Sequence, residues 1–229
     1  MNHPMPFASG TAQLGAAQRN RVLRNTYSLL AVSLLPTVAG AWLGVSTGLG
    51  ALFTGGFGLI AFLVGAFGFM WAIEKNKDRA AGVYLLLGFT FFMGVMLSRL
   101  IGAVLGLSNG ANLIMLAFGG TAAVFATMAM LANVIKRDLS GMGKFLIVGA
   151  VIMMVAGIAN FFFQSSALML ALLVACLALF SAFLLYDLKR VVDGGETNYV
   201  SATLAIYLDL YNIFQSLLSL LGIFGGERD

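Results

Sequence analysis

The chain has 229 residues, 60% of them hydrophobic and only 10% charged, with a mean hydropathy of +0.97 and a formal net charge of +4. A soluble domain carries about 25% charged residues. Here the charges are also clumped, leaving uninterrupted apolar runs of the ~20 residues needed to cross a hydrocarbon core. This excludes an ordinary soluble domain. No basic patch with interleaved aromatics points to nucleic acid, and the single cysteine, Cys176, allows no internal disulfide framework.

The first 26 residues are largely polar and contain Pro4 and Pro6, with Arg19, Arg21 and Arg24 just before the first apolar run. They lack a hydrophobic signal core, so residues 1–26 are expected to be a mobile cytoplasmic tail ahead of an uncleaved first span. Apolar run lengths then predict seven spans at 27–47, 51–73, 81–104, 111–135, 145–163, 167–187 and 198–224. The expected organisation is an all-α polytopic bundle over 27–224 followed by a short tail at 225–229.

The connections alternate in charge. Arg19, Arg21, Arg24, Lys75, Lys77, Arg79, Lys136, Arg137, Lys144, Lys189 and Arg190 fall on one side, and only Arg99 and Arg228 remain for the other. The positive-inside bias predicts a cytoplasmic N-terminus and an external C-terminus, unless the last segment is re-entrant. Glycines recur at four-residue spacing at Gly40, Gly44 and Gly48 and at Gly102, Gly106 and Gly110. Small residues in such rows let helices approach closely in lipid; we read them as packing inside one bundle, a dimer seam being the alternative. Trp42, Trp71 and Tyr27 stand near span ends, as an aromatic belt places them.

The last two spans carry the chemistry. Asp187 closes the uncharged run from Ala167 to Tyr186, and Asp209 sits within Tyr207-Leu208-Asp209-Leu210-Tyr211-Asn212. An ionisable residue within a span costs roughly 2.5–3.5 kcal/mol on insertion scales and marks a functional site by default. At about 100° per residue, Asn198, Ser201, Ala205, Asp209, Asn212, Ser216 and Ser219 share one arc of the seventh segment, opposite Tyr207, Leu210, Phe214, Leu217, Leu218 and Leu221. Such a polar stripe belongs in the bundle interior, where its groups find partners. Serine and asparagine alone fit a structural seam; a buried carboxylate does not. Asp209 must be protonated, pair with a cation, or share a proton with Asp187, in which case the two titrate as a unit. Asp209 falls about 17 Å along its helix and Asp187 only roughly 8–10 Å from the following turn, so contact requires a tilt or a deeper start of the last helix.

These residues resemble the Bax inhibitor/YccA family, also called the transmembrane Bax-inhibitor-motif family. The likeness lies in Leu185-Tyr186-Asp187, in Gly194-Gly195-Glu196-Thr197-Asn198-Tyr199, in Tyr207-Leu208-Asp209-Leu210-Tyr211-Asn212-Ile213-Phe214 and in Leu217-Leu218-Ser219-Leu220-Leu221-Gly222. Upstream, Arg21-Val22-Leu23-Arg24-Asn25-Thr26-Tyr27 and Gly119-Gly120-Thr121-Ala122 look like its bacterial YccA branch. The resemblance implies a seven-helix bundle with the last helix central, in a bacterial inner membrane. It further implies modulation of the membrane AAA protease FtsH, with the exposed tail as the handle, and a pH-sensitive leak of calcium or protons sensed by Asp187 and Asp209. Arg79 and Arg99 are candidates for a basic residue that locks the pair, and the sequence leaves any metal site undefined.

The lipid bilayer is the one partner composition itself demands. An intramembrane aspartyl protease is a third reading, but the second acid stands in Tyr-Leu-Asp rather than Gly-x-Gly-Asp, and no Pro-Ala-Leu run follows. The only histidine, His3, lies in the tail, and no phosphate-cradling loop is present, so neither an enzyme nor a bound cofactor is expected.

Overall fold

The computed structural model describes residues 7–53 and 55–226, which form seven long helices and one short 3-10 turn, with no strand among them. In chain order these are α1 (Phe7–Thr47), the turn at Leu49–Leu52, α2 (Gly55–Asn76), α3 (Ala80–Leu105), α4 (Gly110–Val134), α5 (Met142–Phe163), α6 (Ser166–Asp193) and α7 (Tyr199–Phe224). All seven are long and apolar enough to cross a membrane, α1 through its Ala17–Thr47 part. The expected spans are therefore present, most with ends shifted by a few residues.

Two ends differ for stated reasons. The tail expected over 1–26 is described from residue 7 onward, and there it is helix continuous with the first span; residues 1–6 lie outside the described residues. Ala12, Ala16, Ala17 and Gln18 are good helix formers with no proline between Pro6 and Pro36 to interrupt them, and Val22 and Thr26 are already buried. The boundary at 26 thus falls inside a helix. Of the tail expected at 225–229, Gly225 closes α7 through a bond from its N–H to the Leu221 carbonyl (2.7 Å), and residues 227–229 lie outside the described residues.

The most extensive seam joins α1 to α3. A Cβ at Gly40 would fall on the Phe91 carbonyl, one at Gly94 on the Thr37 carbonyl, and one at Gly44 on the Ser98 side chain. These backbones meet because neither helix carries a side chain there. Gly40 and Gly44 of the first glycine row therefore pack inside the bundle, as expected, whereas Gly48 meets nothing within 4 Å. Gly102 meets nothing within 4 Å, and Gly106 only its own preceding turn.

Helix α7 packs against α1, α2, α3, α4 and α6, whereas α5 packs on α6. From Val200 to Gly222 only Gln215 is exposed, so α7 turns no broad face to lipid. It starts where Asn198 donates to the Lys77 carbonyl (3.2 Å) and to Asp78 (2.8 Å). It ends where Asn109 donates to the Gly225 carbonyl (2.6 Å). The helix thus runs from one end of the bundle to the other rather than turning back.

Candidate functional site: a carboxyl pair beneath a polar cleft

Helix α6 delivers the first acid. It continues past the hydrophobic run to Asp193 and stops at Gly194, whose φ of 81° is left-handed. Gly194 donates to Val191 (3.2 Å) and Gly195 to Arg190 (2.8 Å). This paired closure satisfies the last carbonyls and favours glycine at the left-handed position. It turns the chain back so that Glu196 faces the helix it has just left. Asn198 then caps α7, its Oδ1 accepting from the N–H groups of Val200 (2.8 Å) and Ser201 (3.2 Å).

Asp187 and Asp209 meet. Their side chains lie close enough to act on each other, with Asp209 only 3% exposed and Asp187 9%. Two buried carboxyl groups side by side are relieved when one of them carries a proton, because ionised carboxylates repel and only accept hydrogen bonds. The depth mismatch is resolved by helix packing: α6 and α7 form one of the closest seams of the bundle. Oδ2 of Asp209 is buried with no hydrogen-bond partner among the described residues.

Arg190 stands beside the pair, its Nη1 3.6 Å from Asp187 Oδ1 and its Nη2 3.1 Å from Glu196 Oε2. The basic neighbour is thus Arg190. Arg79 and Arg99 are exposed and form no ion pair among the described residues. The signal for Arg190 was present as Asp187-x-x-Arg190, since residues three apart share a helix face. It went unread because the span was ended at the charge, leaving Arg190 in a loop.

A cleft of 350 Å³ opens over Asp187, lined by Glu74, Asp187, Arg190, Glu196, Ser201 and apolar residues of α6 and α7. Glu74 forms an ion pair with Lys77 and accepts from Ser201 Oγ (2.9 Å). Glu196 also accepts from the Asn198 N–H (2.9 Å). Asp187 and Glu196 thus face the Arg190 guanidinium while Glu74 lines the same cleft, and Glu74 and Glu196 were not anticipated. No group of three or more His, Cys, Asp or Glu residues among the described residues is arranged to hold a metal ion.

The remaining stripe residues divide. Ser216 is buried and hydrogen-bonded to Cys176 of α6. Asn212 donates back to the Leu208 carbonyl of its own helix (2.8 Å), and Ser219 is half-buried. The opposite face of α7 carries polar ties of its own. The Tyr207 hydroxyl bonds the Thr37 hydroxyl of α1 (2.9 Å), and the Tyr211 hydroxyl donates to the Met93 carbonyl of α3 (3.3 Å).

Seven helices long and apolar enough to cross a membrane, the last two bringing buried aspartates together, define a polytopic membrane protein. Comparison with known proteins places it further. Residues 19–226 match the family described as inhibitor of apoptosis-promoting Bax1, and the chain belongs to that family. It is similar to an uncharacterized protein of Neisseria meningitidis serogroup A (40% identity, covering 91% of this chain and 93% of the relative). It is likewise similar to the Escherichia coli K12 protein named modulator of FtsH protease YccA (36% identity, 89% and 90% covered). An uncharacterized membrane protein of Vibrio cholerae is 33% identical, with 97% and 98% covered.

Proposed function

We propose that this protein is a non-enzymatic modulator of the membrane protease FtsH in the bacterial inner membrane. The observation that carries this reading is the 36% identity, over 89% of the chain, to the Escherichia coli relative named for that activity. A second Escherichia coli relative, equally similar, is named an inner membrane protein. The arm of α1 before the first span supports it too, since it offers a protease a segment outside the hydrocarbon. The test is FtsH co-reconstituted with this protein and a membrane substrate in vesicles. Substrate turnover should fall as the protein is added, and deleting residues 1–18 should make the protein itself resistant to FtsH while leaving the bundle folded. Substrate turnover unaltered by the protein would overturn the modulator reading. FtsH degradation of the truncated chain at the full-length rate would remove only the tail from it.

A second reading is a pH-sensitive leak for calcium or protons governed by Asp187 and Asp209. The specific support is the proximity of two buried carboxyls, one of which lines a cleft with two further acids. Calcium and proton flux measured in the same vesicles separates the two readings. Flux that follows pH and is lost in Asp209→Asn supports the leak, and vesicles no leakier than protein-free ones would remove it.

A further inference from the structure

A second cavity, of 780 Å³, lies well away from the acids. It is a groove between α1 and α4, floored by Leu97 and Ile101 of α3 and by Tyr207 and Tyr211 of α7. Its α1 wall runs from Tyr27 to Val45, roughly 27 Å at the helical rise, close to the ~30 Å thickness of a hydrocarbon core. Leu34, Val38, Trp42 and Phe118 line it and are 37%, 60%, 69% and 56% exposed, so it opens sideways to the bilayer.

The walls define what can fill it. Most hydroxyls that border the groove are engaged within the bundle: Thr37 with Tyr207, Tyr211 with Met93, and Thr121 with the Ala117 carbonyl (2.8 Å). Only the Tyr27 hydroxyl and the Trp42 indole N–H, toward its two ends, have no hydrogen-bond partner among the described residues, and the long apolar stretch between them suits hydrocarbon. A transmembrane helix fits poorly. Close helix contact in lipid needs an uninterrupted row of small residues; the close-packing glycines of α1, Gly40 and Gly44, are already spent against α3, and the small residues of the groove, Ala31, Thr37, Ala41 and Ala122, stand among larger ones. The walls are instead large and irregular, with Trp42, Phe118, Phe125 and Phe214 among them. Flexible chains can follow such a surface.

One end of the groove carries charge. Counting back from Thr47, ~30 Å of hydrocarbon is used up near Tyr27, which leaves Arg24 at the headgroup level. Arg24 is exposed, forms no ion pair among the described residues, and lies one turn before Tyr27 on the groove side of α1. Tyr27 and Phe125, in edge-to-face contact at 6.1 Å, bridge α1 and α4 just inside it.

We propose that this groove is a binding site for an anionic glycerophospholipid, with its acyl tails between α1 and α4 and its phosphate on Arg24. The site is independent of the carboxyl pair and of any action on a protease.

Photo-labelling tests it. The purified full-length protein is placed in phosphatidylcholine vesicles doped with phosphatidylglycerol or phosphatidylcholine bearing a diazirine on the acyl chain. Adducts are then mapped by mass spectrometry. The phosphatidylglycerol probe should label Leu34, Val38 and Phe118 several-fold above Ile152 and Val155, which face lipid on α5. Unlabelled phosphatidylglycerol should compete, and phosphatidylcholine should not. Arg24→Gln, on an exposed position that leaves the bundle intact, should reduce the phosphatidylglycerol signal to that of the phosphatidylcholine probe. Ala122→Phe, which fills the groove from its α4 wall, should reduce groove labelling by both. Equal labelling of groove and α5 by both probes would mean annular lipid only and overturn the proposal, as would enrichment that survives Arg24→Gln. A benzophenone amino acid replacing Leu34 should cross-link lipid in native membranes; a polypeptide trapped there instead would assign the groove to a helix.

Discussion

At the scale of single residues, the aspartate pair is the part of the site the sequence displayed most openly. A carboxylate costs so much in a span that each acid announces itself, and two on consecutive helices have few other partners. What could not be read was the company they keep. Glu74 and Glu196 come from a distant helix end and a turn, and only the fold brings them to Arg190 and Ser201. The pair leads to a direct expectation. Asp209→Asn preserves shape and can still donate a hydrogen bond to Asp187, but it removes a titrating group. On the leak reading proposed above, either Asp209→Asn or Asp187→Asn should therefore abolish the pH dependence of calcium flux into proteoliposomes while leaving the thermal midpoint in detergent little changed. The double variant should add little beyond either single one, because groups in direct contact are not additive. Additive losses, or a wild-type pH profile in one variant, would show the two acids acting separately.

At the scale of elements, run length located all seven helices because hydrocarbon thickness fixes the length of a crossing. It could not locate ends that leave the hydrocarbon. Helix α1 starts well before its span, and α6 adds a last turn bearing Lys189, Arg190 and Asp193, since backbone hydrogen bonding continues in water as readily as in lipid. The glycine rows show the same limit. Spacing alone made Gly40 and Gly102 equivalent, and only packing distinguishes them. Gly40→Leu should separate α1 from α3 and sharply lower the thermal midpoint, because its side chain has only the Phe91 carbonyl to meet. Gly157→Ala, in α5 with nothing within 4 Å of the added Cβ, should stabilise by about 0.5–1 kcal/mol through helix propensity. A fall in stability at Gly157 would reveal a contact there that the bundle itself does not make. Asn198→Ala removes the α7 cap and the tie to Lys77 and Asp78 together, and the cap alone accounts for about 1 kcal/mol. Denaturation in mild detergent should show at least that loss.

At the scale of the whole molecule, charge asymmetry and helix direction make one joint statement about sidedness. Hydrogen bonds tie the α2–α3 turn to the α6–α7 turn through Asn198, and tie the α3–α4 turn to the end of α7 through Asn109. Arg19 reaches Gly194 at the first of these ends. Eleven basic residues therefore gather at the end where α7 begins, and the end where it finishes is nearly free of them. The positive-inside bias predicts that the basic end faces the cytoplasm. Single cysteines in a Cys176→Ala background check this in intact cells. Gly141→Cys, in the exposed α4–α5 connection, should react with a membrane-impermeant maleimide only after the membrane is opened, and Asp229→Cys should react before. The bundle fixes the two ends as opposite, so a reversed result would invert the orientation while keeping seven crossings. Labelling of both positions from one side is the outcome that the full-length course of α7 does not permit, and it would require the last helix to leave the bundle in the membrane.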